Sequence, residues 1–156
     1  FGNLTANICR TVDEATVYTV NPPANIQTGD IVTFELTPDE IGRVYRSNDY
    51  GSRVVQILEN SWELDLTSHM AGVQADLAVI DGCHDTDFVL NDFEVVAPHV
   101  RPGGLVIFHD THPSMNRHLS GSYKACVKLR KRGLNVQQVS DSWWAQWRNE
   151  PVPGVN

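Results

Sequence analysis

Two short, continuously apolar runs mark the middle of the chain, Leu77-Ala78-Val79-Ile80 and Leu105-Val106-Ile107-Phe108, and each ends at a polar cluster. Runs of this length without alternation fit strands buried on both faces, as in a parallel sheet. Between them Val89, Phe93, Val96, Ala97 and Val100 recur at helical spacing. Asp85 or Thr86 is placed to cap that helix, and Arg101-Pro102-Gly103-Gly104 to supply the turn into the next strand. Strand, helix and strand over about 35 residues make a βαβ unit, whose crossover should be right-handed.

The flanks continue the alternation. Leu4, Ile8 and Val12 predict a helix capped by Asn3, followed by a strand at residues 16–20. Thr37-Pro38-Asp39-Glu40 reads as a capping box with proline at the first helical position, opening a short helix through Ile41, Val44 and Tyr45. Residues 54–58 predict another strand. A helix over residues 123–132 should stop at Gly133, with Lys128, Arg130, Lys131 and Arg132 at the negative end of its dipole. Residues 134–140 and 143–147 are strand-like and joined by too few residues for a crossover, which predicts an antiparallel hairpin. The expected architecture is α/β: a Rossmann-like, doubly wound, mostly parallel sheet with an antiparallel C-terminal hairpin.

Composition narrows the partners. The 156 residues fit a single domain over 1–156, and 41% hydrophobic against 20% charged residues gives it a core rather than a disordered or coiled-coil character. Twelve basic against 19 acidic residues leave a net charge of -7, which argues against nucleic acid or an anionic membrane as partner. No apolar run is long enough to span a membrane. Cys9, Cys83 and Cys126 are odd in number and form no CxxC pair, so they read as reduced thiols of a cytoplasmic protein. The chain opens at Phe1 rather than methionine, so the domain is expected to be N-terminally incomplete.

In open α/β sheets, ligands sit beyond the carboxyl ends of the strands. The first strand of the βαβ unit runs into Asp81-Gly82-Cys83-His84-Asp85, the second into His109-Asp110-Thr111-His112. If the two strands are neighbours, Asp81, His84, His109 and Asp110 converge on one cleft. Carboxylates with imidazole nearby suit a divalent metal such as Mg²⁺ or Mn²⁺, and equally a general base with an orienting partner. The plainer alternative is that Asp81 caps the following helix and the histidines are structural. Trp143, Trp144 and Trp147 are either a substrate platform or core and dimer contacts. The basic stretch 124–132 is either a solvated helix end or an anion site. Cys83 is either a nucleophile or the filler of a tight turn.

The stretch Asp76-Leu77-Ala78-Val79-Ile80-Asp81-Gly82-Cys83-His84, the helix with Asn91-Asp92, and the run from Arg101-Pro102-Gly103-Gly104 to His109-Asp110 resemble the class I S-adenosylmethionine-dependent methyltransferases. They are most similar to the branch that methylates oxygens of small molecules. The opening Gly2-Asn3-Leu4-Thr5, the run Val17-Tyr18-Thr19-Val20-Asn21 and the closing hairpin follow the same order, so the resemblance covers nearly the whole chain. It implies S-adenosylmethionine as cofactor, a small-molecule acceptor and assistance by Mg²⁺. Its donor contacts would fall at Gly2 and Asn3 near the glycine-rich loop, at Asn21 where the family has a ribose-binding acid, at Asn60 and Ser61 near the adenine, and at Asp81. His84 would be the general base, with Asp81 and His109 beside it, and Asp81 and Asp110 would hold the metal.

The family's first strand, which lies between its second and fourth, has no counterpart here. Strands 16–20 and 76–81 should therefore pair directly, or another chain in a homo-oligomer should fill the gap. Acceptor choice would reside in variable loops such as 26–30 and 112–122. Two rival readings remain: a degenerate or fragmentary non-catalytic methyltransferase-like domain, and a metal-dependent hydrolase.

Overall fold

The computed structural model describes residues 2–23, 37, 39–114 and 120–150. Loop 26–30, Pro38 and the middle of loop 112–122 lie outside them. The chain forms two compact units, Phe1–Leu64 and Asp65–Asn156.

The first unit contains α1 (Asn3–Thr11), β1 (Val17–Asn21), α2 (Arg43–Ser47) and β2 (Val54–Leu58). Helix α1 starts from Gly2, in the left-handed region at φ 82°, so Asn3 is its first helical residue and not its cap. Its buried residues are Thr5, Ala6 and Cys9, whereas Leu4 and Val12 are exposed. Small side chains thus carry the packing, which a search for large apolar residues misses. Tyr45 explains two of the glycines. A Cβ on Gly2 would lie 2.8 Å from its Cδ1, and one on Gly42, also left-handed, 2.2 Å from its hydroxyl oxygen. The buried Tyr45 hydroxyl donates to Gln56 Oε1 at 2.6 Å.

Thr37 donates from its backbone N–H to Glu40 Oε2 at 3.0 Å, which is one half of the expected capping box, while its hydroxyl donates to the same oxygen at 2.9 Å instead of accepting from the Glu40 N–H. The helix itself begins only at Arg43, after a turn whose Asp39 and Ile41 carbonyls accept from Arg46. Arg53 donates to the carbonyls of Cys9, Val12 and Asp13 at the end of α1, where a helix dipole favours a cation. β1 and β2 pair in parallel, with Val17 opposite Val54 and Asn21 opposite Leu58.

The second unit contains α3 (Leu66–Met70), β3 (Ala75–Ile80), α4 (Thr86–Val96), β4 (Val100–Phe108), α5 (Gly121–Lys131), β5 (Val136–Gln138) and β6 (Ala145–Arg148). Its sheet runs β3-β4-β6-β5, with β3 parallel to β4 and β6 antiparallel to both its neighbours. The βαβ unit and the closing hairpin are thus as the apolar pattern predicts. Three details differ. Val100 and Arg101-Pro102-Gly103-Gly104 lie inside β4 rather than in helix and turn, and the β3–β4 register shifts between Ala75 and Leu77 to accommodate them. Leu77 is exposed, so β3 is not buried along its whole length. Helix α3 spans only five residues, too few for periodicity to register, and is set by Asp65 accepting from the N–H and hydroxyl of Ser68.

Among the described residues β1 pairs with β2 and not with β3, which corrects the expectation that strands 16–20 and 76–81 join directly. Each finds its parallel partner in the next strand along the chain of its own unit.

The core of the second unit is centred on Phe93. Its ring lies 5.7 Å from that of Phe108 and meets Trp147 edge-on at 5.2 Å, joining α4, β4 and β6. Val106, Phe108, Ala125, Cys126 and Leu129 are fully buried around it. Trp147 is therefore a core residue, not a substrate platform. On the surface Lys128 of α5 and Arg132, which caps it, reach Asp87 and Glu94 of α4 at 3.4 and 2.7 Å, so the basic helix end is matched within the fold. Exposed pairs of this kind contribute little.

Truncating Phe93 removes the ring that three elements share. Phe93→Ala should lower the unfolding free energy by about 3–5 kcal/mol, read from denaturant titration. A loss below about 1 kcal/mol would show that Phe108 and Trp147 do not depend on it.

Candidate active site

Register builds the site. Ile80, the last residue of β3, is opposite Phe108, the last of β4, and His109 N–H extends the ladder one step by donating to Ile80 O at 3.0 Å. Asp81 and His109-Asp110 therefore leave the sheet side by side. Asp110 turns the chain through a left-handed conformation at φ 54°, which Asp tolerates better than most residues. Thr111, fully buried, then donates through its N–H and its hydroxyl to Trp143 O at 3.0 and 3.3 Å, and its hydroxyl accepts from Gln138 at 3.2 Å. The exit of β4 is thereby fastened to the loop between β5 and β6.

His84 arrives from the turn before α4. Its Nε2 lies 2.5 Å from Asp110 Oδ2. A carboxylate can only accept, so Nε2 is the donor, and the tautomer this selects has its lone pair on Nδ1. The turn is held from outside by α5: a Cβ on Gly121 would stand 1.7 Å from the His84 carbonyl oxygen, and Thr86 Oγ1 donates to Gly121 O at 3.4 Å. Only glycine allows the helix to start there.

His109 Nδ1 lies 2.9 Å from Asp81 Oδ1 and 3.1 Å from Asp110 Oδ2. Neither approach has the angles of a hydrogen bond, and the buried Nδ1 has no hydrogen-bond partner. The ring packs against Trp144 with centroids 4.2 Å apart. Donor atoms of Asp81, His84 and Asp110 lie within 4.8 Å of one another. Two carboxylates, imidazole nitrogens and an unsatisfied buried Nδ1 are a donor set that fits a divalent cation.

The structure thus brings together Asp81, His84, His109 and Asp110. The other expected ligand contacts, Gly2, Asn3, Asn21, Asn60 and Ser61, belong to the first unit. Gly2 and Asn3 open α1, while Asn21 ends β1 opposite Leu58, so Asn60 and Ser61 follow at the same carboxyl edge of that sheet. Asn21 Nδ2 donates to Thr19 Oγ1 at 3.3 Å and Asn60 Oδ1 accepts from Trp62 N–H at 3.2 Å. His112 forms a separate cluster, with Nε2 at 2.8 Å from Asp141 Oδ1 and Nδ1 at 2.6 Å from Ser114 Oγ.

The roles of Thr111 and Gly121 escape a reading of the motifs alone, and Trp144, a candidate substrate platform or core contact in the sequence, packs against His109. Gly121 carried one usable signal, a glycine placed in the first turn of a helix against its own propensity. Partial burial pushes the Cys83 thiol up, helped by the charges of Asp85 and Asp92 and opposed by a backbone hydrogen bond at Asp85, the opposite of what a nucleophilic thiolate needs.

The profile of a family described as "Methyltransferase domain" matches residues 1–111. No curated relative matches the sequence. Among solved structures, an O-methyltransferase family protein from Burkholderia thailandensis aligns with a TM-score of 0.65 at 17% identity, covering 99% of this chain and 49% of that one. The O-methyltransferase NovP aligns at 0.68 and 15% identity, covering 95% and 66%. The N-methyltransferase NodS from Bradyrhizobium japonicum WM9 aligns at 0.59 and 14% identity, covering 96% and 81%. At these identities the likeness shows a common Rossmann-like α/β fold. The chain spans about half to two thirds of the length of the first two.

Two measurements check the local packing. Gly121→Ala should lower the melting temperature and shift the ring resonances of His84 more than those of His112; equal shifts would disconnect α5 from the His84 turn. Burial pushes the Cys126 thiol from 9.0 up to about 11. Its contribution to stability is whole below pH 9 and is lost as the pH climbs towards 11, because the unfolded chain releases that proton first. At pH 8 iodoacetamide should therefore label Cys83 and Cys126 far more slowly in the native than in the unfolded chain. Equal rates would contradict the burial of Cys126 and the partial burial of Cys83.

Proposed function

The chain belongs to the methyltransferase domain family, whose class I S-adenosylmethionine-dependent members its motifs resemble, and on that premise we propose that the protein methylates an oxygen of a small-molecule acceptor with a divalent cation assisting. The observation that carries the reading is the convergence of Asp81, His84, His109 and Asp110 beyond the paired ends of β3 and β4. Both the sequence signature and the geometry support this reading of the four residues.

An aliphatic hydroxyl holds its proton far above neutral pH, so its attack on a sulfonium methyl needs help with that proton. His84 takes it on Nδ1 as the O–CH₃ bond forms and the S–CH₃ bond breaks, leaving S-adenosylhomocysteine. Asp110, bonded to Nε2, fixes the tautomer and stabilises the imidazolium that results. Asp81 and Asp110 would hold Mg²⁺ or a similar ion, which supplies positive charge to stabilise the acceptor oxygen as it loses its proton. His109 lines the site between the two carboxylates. In-line displacement depends on alignment, so much of the rate comes from holding donor and acceptor in place. The resemblance assigns donor binding to Gly2, Asn3, Asn21, Asn60, Ser61 and Asp81. Asparagine at position 21 still hydrogen-bonds a ribose hydroxyl, without the strength of a carboxylate.

The acidic composition supports a small-molecule acceptor rather than nucleic acid or a membrane surface, and the free cysteines Cys9, Cys83 and Cys126 support a cytoplasmic setting. Among the described residues no helix is long and apolar enough to cross a membrane.

Thermal-shift titration with S-adenosylmethionine and S-adenosylhomocysteine tests the reading. Both should raise the melting temperature, and absence of any shift at millimolar ligand would leave only a non-catalytic relative or a hydrolase. In the active protein His84→Ala should lower turnover by roughly 10²- to 10⁴-fold with donor binding nearly intact. Asp110→Asn keeps a residue that tolerates the left-handed turn, so it should weaken metal dependence and acceptor binding together without unfolding the loop. Unchanged activity in both variants would reduce these residues to caps and packing.

A further inference from the structure

We propose that the cation site selects an ion that accepts nitrogen ligands, of the Mn²⁺ to Co²⁺ class, over Mg²⁺, with His109 Nδ1 binding it beside Asp81 and Asp110. The inference rests on the reading of this cluster as a cation site, and adds which ion it is built for.

Three observations carry it. First, His109 Nδ1 is buried and has no hydrogen-bond partner, although two carboxylate oxygens stand 2.9 and 3.1 Å away. An imidazolium drawn between two carboxylates would point its N–H along one of them, and the angles here do not allow that. A lone pair facing the same space as the carboxylate oxygens needs no such alignment.

Second, the spacing suits six-coordination. Adjacent ligands around an octahedral ion with bonds of about 2.1 Å lie about 3.0 Å apart, whereas a tetrahedral ion would spread them to about 3.4 Å. The two separations at His109 match the octahedral edge. His84 Nε2 does not, since 2.5 Å from Asp110 Oδ2 is a hydrogen bond and leaves no room for both atoms on one ion. His84 remains free for proton transfer, and His109 is the nitrogen ligand.

Third, His109 is held for the task. Its backbone N–H is bonded to Ile80 O, and its ring is packed against Trp144. With Nδ1 as ligand the proton sits on Nε2, the tautomer a metal-bound imidazole requires. Mg²⁺ favours oxygen ligands and keeps its waters, whereas imidazole strengthens binding along the series from Mn²⁺ to Co²⁺.

The test uses the metals themselves, without turnover. Equilibrium dialysis should give Mn²⁺ and Co²⁺ a dissociation constant at least roughly 10²-fold below that of Mg²⁺, and His109→Asp should shrink that ratio to within about tenfold by supplying oxygen in place of nitrogen. The proton NMR spectrum of the Co²⁺-loaded protein should show a strongly shifted resonance that disappears in D₂O, the His109 Nε2–H, besides that of the His84 Nε2–H bonded to Asp110, and His109→Gln should lose the first while keeping the second. Far-UV circular dichroism of both variants checks that they fold. Mg²⁺ bound as tightly as Mn²⁺, or the same number of shifted exchangeable resonances in His109→Gln as in the unaltered protein, overturns the inference while leaving the cation site in place. Binding of no divalent ion overturns both, and the donor titration then reports separately on methyl transfer.

Discussion

The parallel register that sets Ile80 against Phe108 is the constraint on which the site depends. Both strands end at the same level, so the residues that follow them, Asp81 on one side and His109-Asp110 on the other, emerge as neighbours. A slip of one residue would reverse which side chains face the core. The buried Phe108 prevents it, because its ring is locked against Phe93, which in turn meets Trp147. Packing on the hidden face of the sheet thus fixes polar chemistry at its rim. The core of the second unit serves the site by holding a register.

Beyond the strand ends the chain gives up regular hydrogen bonding and replaces it with single, specific ties. Asp110 adopts a left-handed conformation. Such a residue costs about 1–2 kcal/mol relative to the right-handed regions, and the buried bonds of Thr111 to the β5–β6 loop offset it. His84 is fixed twice, by Asp110 on its ring and by Gly121 against its carbonyl. These ties draw three loops together, so the antiparallel hairpin is part of the site's scaffold. Trp143 and Trp144, adjacent in sequence, divide the work: the backbone of one receives Thr111, and the ring of the other supports His109.

The first unit follows a different logic. Its packing is made by small residues closing on one large ring, Tyr45 against Gly2 and Gly42, and by Arg53 gathering the last carbonyls of α1. Gly2 therefore has a structural duty independent of any ligand. A substitution there would disturb Tyr45 and any donor contact at once, so loss of binding in such a variant would not by itself identify a ligand contact.

The apolar runs before Asp81 and His109, and the helical spacing between them, were enough to determine a βαβ unit, because continuous apolar runs fit parallel strands, although only the β4 run is buried or half-buried throughout. Gly133 and the short hairpin connection were equally legible, since a left-handed helix stop and a two-stranded return are local events. The motif residues Asp81, His84, His109 and Asp110 were legible as a group because strand ends imply a common edge. What local pattern does not carry is which side of a helix meets the fold when the packing residues are small, as with Thr5, Ala6 and Cys9. Nor does it reveal whether two strands distant in sequence pair, as β1 and β3 do not. The different surroundings of His84 and His109 were also decided in three dimensions. Both are histidines near a strand end, and only distance and angle separate the one hydrogen-bonded to Asp110 from the one whose Nδ1 is left unsatisfied between two carboxylates. Residue type and spacing determine which groups can meet; the orientation of a ring nitrogen depends on contacts such as Trp144 and Gly121, remote in the chain and adjacent only after folding.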